Sequence, residues 1–241
     1  MMIDPRVSVI RKRLSNIKRV IPVVSGKGGV GKTLVSAVSS LILAEMKYSV
    51  GLLDLDFHGP SCHIILGVKD AFPVEEKGLI PPDFHGVRFM SLYYFIKDEP
   101  VPLRGKDISD AIIELLAITR WGSLDYLIID MPPGTGDEIL DVIRFINGEY
   151  LIVSTPSLLS LSTVSRLIKI LKHYQVRILG LIENMYHKAT NLLEKFSEAN
   201  KIPYLGKIPY DYNVEEKIGD PKELLKTTFA DNLREIIERI K

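Results

Sequence analysis

The sequence predicts a single α/β domain whose mostly parallel, twisted sheet is covered by helices on both faces. Three observations carry that prediction. Short β-branched runs alternate with stretches of helical periodicity along the chain, the pattern of βα units. Two runs, Val20-Ile21-Pro22-Val23-Val24 and Leu127-Ile128-Ile129, are almost continuously apolar, as strands buried on both faces are. A glycine-rich segment, Gly26–Thr33, stands between the first such run and a helical pattern. At 241 residues the chain can bury one sizeable core and is short for two. Without repeat or linker, residues 1–241 read as one unit.

The elements follow in order. An N-terminal helix is expected within residues 1–18, with Asp4 as cap, Pro5 in the first turn and Val7, Ile10, Leu14 and Ile17 at helical spacing. Strands are expected at Val20–Ser25, Val50–Leu55, Val87–Leu92, Tyr126–Asp130, Tyr150–Ser154 and Arg177–Glu183. Helices are expected near 32–46, 107–120, 137–147, 160–174 and 190–200. Pro22 is foreign to the first strand, because proline cannot donate to a central ladder. The glycine segment that follows nevertheless requires a strand there. Phe72–Phe84, with Pro73, Pro81 and Pro82, reads as a surface excursion.

Over 222–241 a final helix carries Leu225, Phe229, Leu233, Ile236 and Ile240 as an apolar stripe. Its opposite face mixes Lys226, Arg234 and Arg239 with Asp231, Glu235 and Glu238. An anionic membrane would favour a basic face, so docking on the domain itself is expected and membrane contact is not.

Composition narrows the class further. With 31 basic and 30 acidic residues the formal net charge is +1, which gives no reason to expect a nucleic-acid partner. Cys62 is the only cysteine, so an intrachain disulfide is impossible and a reducing cytoplasm is the expected compartment. No run approaches the roughly 18 apolar residues of a membrane span. The charges at Arg6, Arg11, Lys12 and Arg13 do not form the basic cap and apolar run of a leader.

Gly26-Lys27-Gly28-Gly29-Val30-Gly31-Lys32-Thr33 matches the Walker A pattern and has its strand-before, helix-after context. Glycines let the backbone curl so that N–H groups face phosphate oxygens, and the helix N-terminus adds a positive dipole. Lys32 can reach the β- and γ-phosphates, and Thr33 can place its hydroxyl on Mg²⁺. Hydrolysis at such a loop also needs carboxylates at neighbouring strand ends. Asp54 and Asp56 supply them after the second strand, and Asp130 does after the fourth, at the end where ligands bind in open α/β sheets. Asp137 stands where it could simply cap the following helix.

Lys27, directly after the first glycine, resembles the deviant Walker A of the MinD/ParA/ArsA class of ATPases. That resemblance implies a homodimer in which each Lys27 crosses to the partner's nucleotide, where a cation stabilises charge on the transferring phosphoryl group. It further implies that Asp54 and Asp130 hold the water shell of Mg²⁺, that Asp56 positions the attacking water, and that Asp137 belongs to a switch loop. Lys27, Lys32 and Asp56 are thus the catalytic candidates, while Thr33, Asp54 and Asp130 are the metal candidates.

The runs Asp54–Ser61, Trp121–Asp137 and Glu183-Asn184-Met185 resemble one branch more closely, the Mrp/ApbC family of iron-sulfur cluster carrier ATPases, over roughly residues 6 to 215. The resemblance implies ATP and Mg²⁺ as ligands and an iron-sulfur client or regulatory protein as partner. It places Asn184 against the nucleotide base and makes Gly206–Asp211, with Pro209, a loop closing over adenine. One departure matters. The family follows Glu-Asn-Met with a Cys-x-x-Cys pair that holds a cluster between subunits, because thiolates are the ligands such clusters need. Here the chain reads Tyr186-His187-Lys188-Ala189-Thr190-Asn191, so the expectation is an ATPase without the cluster ligands of its relatives. Cys62 is expected to be a small buried thiol and His187 a surface residue. The alternatives are a MinD- or ParA-like dimerisation switch for spatial organisation, and a kinase or ligase on a similar loop.

Overall fold

A computed structural model of the chain describes all residues except 1–5, 58, 70, 97–104 and 189. Asp4 and Pro5, the expected N-terminal cap, lie outside the described residues. The chain opens with α1 (Arg6–Leu14), β1 (Ile17–Val24), α2 (Lys32–Glu45), β2 (Val50–Asp54) and the single turn α3 (Cys62–Ile65). Three two-residue strands follow, β3 (Val74–Glu75), β4 (Leu79–Ile80) and β5 (Asp83–Phe84), then β6 (Val87–Ser91), α4 (Tyr93–Ile96) and α5 (Gly105–Ile118). Next come β7 (Leu124–Asp130), α6 (Asp137–Phe145), β8 (Glu149–Ser154), α7 (Leu158–His173) and β9 (Arg177–Tyr186). The last elements are α8 (Leu192–Asn200), β10 (Tyr204–Pro209), α9 (Val214–Lys217), α10 (Pro221–Leu224) and α11 (Thr228–Ile240).

The main sheet has eight strands in the order β10-β9-β8-β1-β7-β2-β6-β5. Every pairing is parallel except the terminal β5–β6 pair. All five residues of β2 are buried, as are the last five of β1 and of β7, so both faces of the centre are covered. One helix group joins α2 to α11, with α2 lying on β1, β2 and β7; another joins α1, α5 and α6. Trp121, Tyr150 and Phe89 are the bulkiest fully buried side chains. Among the described residues no helix is long and apolar enough to cross a membrane.

Pro22 sits inside this central sheet, and its accommodation is local. On the β7 side β1 pairs continuously from Ile17 to Val23. On the β8 side pairing begins only at Val23, past the position where proline has no hydrogen to donate. There the ring packs against Gly148, where a Cβ would come within 2.7 Å of Pro22 Cδ.

Several expectations are corrected by tertiary pairing. The N-terminal helix ends at Leu14 rather than near residue 18, because Ile17 pairs with Leu124 in the sheet. The expected excursion at Phe72–Phe84 contains a β3–β4 hairpin and β5, which adds an antiparallel edge to β6. The helix expected over 222–241 is two. Asp220 caps α10 by accepting from the Lys222 and Glu223 amides, and Thr227 caps α11 by accepting from Ala230 N. Its stripe docks on the domain as expected: Phe229, Leu233 and Ile236 are buried, while Leu225 packs partly buried between the two helices.

The Pro22–Gly148 contact predicts non-additive energetics. Gly148→Ala should cost about 1–3 kcal/mol by overpacking, and Pro22→Ala should recover part of that loss in the double variant. Urea denaturation of the single and double variants measures both.

Candidate functional site

At the carboxyl end of β1 the chain enters the glycine loop and leaves it in the first turn of α2. Gly26 is wedged against α7: a Cβ there would fall 2.6 Å from Thr163 Oγ1 and 2.7 Å from that residue's carbonyl carbon. Gly29 and Gly31 have φ of +73° and +80°, the left-handed region that glycine enters without a Cβ penalty. A Cβ on Gly28 or Gly29 would meet nothing within 4 Å. The loop therefore wraps open space at the N-terminus of the 14-residue α2, where unpaired amides and the helix dipole attract anions.

Beneath the loop, the C-terminal ends of β2 and β7 bring two buried carboxylates side by side, because Asp54 and Asp130 are register partners. Asp130 is the hub. Its Oδ1 accepts from Lys32 Nζ at 2.7 Å and Ser36 Oγ at 2.8 Å, and its Oδ2 accepts from Thr33 Oγ1 at 2.8 Å. Asp56 Oδ2 lies 3.7 Å from the same ammonium. Asp54 accepts from the backbone amides of Asp56 at 3.1 Å and Cys62 at 3.2 Å.

Three carboxylates against one ammonium leave an excess of negative charge. Burial, then the neighbouring charge of Asp130, push the Asp54 carboxyl from 3.8 up to about 7. For Lys32, burial works against the charged form, but the charge and hydrogen bond of Asp130 outweigh it and hold its pKa above the ordinary value. Burial, aided by Asp54 and Asp130, holds the Cys62 thiol well above its usual range, so it stays protonated. Ligand atoms of Asp54, Cys62 and Asp130 lie within 4.8 Å of one another. With the Thr33 hydroxyl alongside, hard oxygen donors in an anionic pocket fit Mg²⁺, whereas a neutral thiol adds nothing to such an ion.

Beside the loop a cavity of about 450 Å³ runs from Gly31 and Thr33 to the ends of β9 and β10, a volume within the range of small-molecule sites. Asn184 and Pro209 both line it. The Asn184 side chain is buried; its Nδ2 donates to Val30 O at 2.9 Å, while its Oδ1 has no partner. Asp211 anchors the chain after β10 by accepting from the Phe229 amide at 3.1 Å, so α11 holds one wall of the cavity.

Most of the expected residues converge. Gly26, Lys27, Gly28, Gly29, Val30, Gly31, Lys32 and Thr33 form one loop, with Asp54, Asp56 and Asp130 below it and Asn184 and Pro209 beside it. Half-buried Lys27 has no ion-pair partner among the described residues. Gly206–Pro209 is not a loop, however: it belongs to strand β10, and only Tyr210 and Asp211 lie past its end. His187 is exposed as expected and stacks on Tyr210 with centroids 5.0 Å apart. Asp137 is the first residue of α6, and its side chain lies outside the described ones.

Two contributors escape sequence reading. Ser36 shares a helix face with Lys32 four residues earlier, a spacing that could have flagged it. Cys62 reaches Asp130 Oδ2 at 3.9 Å only through tertiary folding.

These features define a P-loop nucleotide-binding protein. Residues 16–241 match the family ParA, described as NUBPL iron-transfer P-loop NTPase. An iron-sulfur cluster carrier protein of Methanocaldococcus jannaschii is 36% identical, covering 96% of this chain and 87% of that protein. One from Saccharolobus solfataricus is 37% identical over 88% of this chain and 78% of its own length. A nucleotide-binding protein of Archaeoglobus fulgidus, solved in complex with ADP, superposes with a TM-score of 0.76 at 30% identity, covering 98% and 97% of the two chains. The septum site-determining protein MinD of Pyrococcus horikoshii shares the fold at a TM-score of 0.71 and 23% identity, covering 92% and 96%. The chain belongs to the iron-transfer P-loop NTPase family.

The raised Asp54 pKa predicts a stability slope. An acid whose folded pKa exceeds its unfolded one stabilises the fold below the unfolded value and loses that contribution as pH rises through the folded value. Without nucleotide or Mg²⁺, the urea midpoint should therefore fall between pH 3.8 and about 7. Asp54→Asn, which cannot ionise, should flatten that fall.

Proposed function

We propose that this protein is a slow Mg²⁺-dependent ATPase that works as a cytoplasmic homodimeric switch in iron-sulfur metabolism, acting on a client or regulatory protein without holding a cluster on its own cysteines. The observation that carries the reading is the Asp130 hub, which ties Lys32, Thr33 and Ser36 into one network directly under the glycine loop.

In this reading the loop amides and the α2 N-terminus bind the phosphates, and Lys32 neutralises charge on the β- and γ-oxygens. Thr33 would hold Mg²⁺ directly, with Asp54 and Asp130 acting through its water shell. The ion supplies charge stabilisation on the transferring phosphoryl group. Asp56 orients the attacking water and accepts its hydrogen bond. Lys27 enters the partner's site and offsets charge developing in the transition state. Asn184 and Pro209 receive the base, and the unpaired Asn184 Oδ1 is an acceptor ready for a base amino group.

Relatives named iron-sulfur cluster carriers support a link to cluster metabolism. The lone cysteine argues against carriage by this chain: Cys62 is buried, protonated and next to carboxylates, whereas clusters need several thiolates. The burial of the α11 stripe weighs against a membrane-anchored switch.

Nucleotide titrations and turnover assays test the assignment. Lys32→Ala should weaken ATP binding by about a hundredfold, the scale of a lost charge-assisted contact. Asp56→Asn should bind ATP normally and hydrolyse it about a hundredfold more slowly. Lys27→Ala should keep nucleotide affinity and lose turnover. Unchanged hydrolysis in the last two variants would remove both residues from the mechanism.

The cluster statement has its own check. Protein purified anaerobically should contain no stoichiometric iron or sulfide, yet still dimerise with ATP and Mg²⁺ in light scattering.

A further inference from the structure

A second groove lies at the other end of the sheet. It measures about 1040 Å³ and is formed by α1, the residues leading into β1, the start of β6 and the Arg120–Gly122 turn ahead of β7. The eight residues of β1 separate it from the phosphate loop by on the order of 20 Å.

Charge is segregated there. Lys12, Arg13, Arg88 and Arg120 all line the groove, and no acidic residue does so among the described ones, although the whole chain carries a formal charge of only +1. The arginines are held in place by backbone carbonyls. Arg13 donates through Nε to Ala117 O at 3.1 Å and through Nη2 to Lys77 O at 3.1 Å. Arg88 donates to the Trp121 carbonyl and Arg120 to the Glu76 carbonyl, and the Glu76 carboxylate lies 3.4 Å from Arg120. Each guanidinium has five N–H donors, so donors remain for a ligand. A fork already fixed loses little freedom when it pairs with a carboxylate.

The remaining lining is apolar. Val9 is 41% exposed, Ile80 is half-buried, and Trp121 closes the wall with an indole N–H that is buried and has no acceptor. Free inorganic anions would use the cations and leave Val9 and Ile80 wet, whereas a polypeptide with mixed acidic and apolar side chains uses both.

We propose that this groove docks an acidic segment of a partner protein, its carboxylates paired with Arg88, Arg120 and Lys12 and an apolar side chain laid on Val9 and Ile80. Because the groove and the nucleotide cavity lie at opposite ends of the sheet, the partner and ATP occupy the protein together.

Trp121 is the only tryptophan, so its emission reports on the groove. The test titrates the full chain with a short peptide alternating Glu and Leu, followed by tryptophan fluorescence and by calorimetry, which needs no optical change. A Lys–Leu peptide and tripolyphosphate serve as comparisons. The expected result is saturable binding of the Glu–Leu peptide that weakens with added salt, with no binding of the Lys–Leu peptide. Combining Lys12→Glu with Arg120→Glu should weaken binding by about tenfold or more through like-charge repulsion. ATP affinity in that variant should be unchanged, showing that it folds. The absence of heat and emission change with the Glu–Leu peptide, or equal affinity in the folded double variant, would overturn the proposal. Tripolyphosphate binding without peptide binding would overturn it too, making the groove a site for small phosphate anions.

Discussion

The carboxylate of Asp130 is the constraint on which the rest of the site depends. A buried anion is tolerated only when donors replace its water, and Asp130 obtains them from three residues at the start of α2, namely Lys32, Thr33 and Ser36. The same bonds fasten the glycine loop to the central strand. Because β7 lies between β1 and β2, the carboxylate ties together the strand that enters the loop, the helix that leaves it and the strand that carries Asp54. Strand register enforces the arrangement, since a slip of one residue would turn each carboxylate to the opposite face.

That register also gives the site its electrostatic character. Burial and the neighbouring charge of Asp130 raise the cost of ionising Asp54, and one ammonium does not cancel three carboxylates. The excess negative charge of the pocket is an electrostatic cost to the fold, and hard oxygen donors in such a setting suit a divalent cation. The cavity beside the loop is built separately, on the ends of β9 and β10, and the chain leaving β10 is anchored through the Asp211 contact to α11. The C-terminal helix packs against α2 and β10 and so braces both the helix that leaves the glycine loop and the strand that ends beside the cavity.

The lone thiol shows how position redefines a residue. Cys62 is the small buried thiol the sequence leads one to expect, a member of the core. It lies beside the carboxylate pair, donates its backbone amide to Asp54, and is kept protonated first by burial and then by those carboxylates. Relatives named as cluster carriers and a chain without a second cysteine are reconciled if the nucleotide machinery works through a client rather than through cargo of its own.

Local sequence determined a great deal. The alternation of runs specified a parallel α/β sheet, and the glycine segment with Lys32 and Thr33 announced its chemistry because a phosphate loop is built from consecutive residues. The strand-end aspartates at 54, 56 and 130 were legible for the same reason: the end of a strand can be read from the chain alone. Tertiary structure decided whatever depended on which strands become neighbours. It turned Ile17 from helix to strand, made Gly206–Pro209 a strand, split the last helix at Thr227 and made room for Pro22 by delaying its pairing with β8. It also brought Ser36 and Cys62 to Asp130 across 94 and 68 residues and gathered Lys12, Arg88 and Arg120 into one groove. Periodicity reports the face a residue shows to its own element, whereas contacts between distant elements are chosen by packing of the whole sheet.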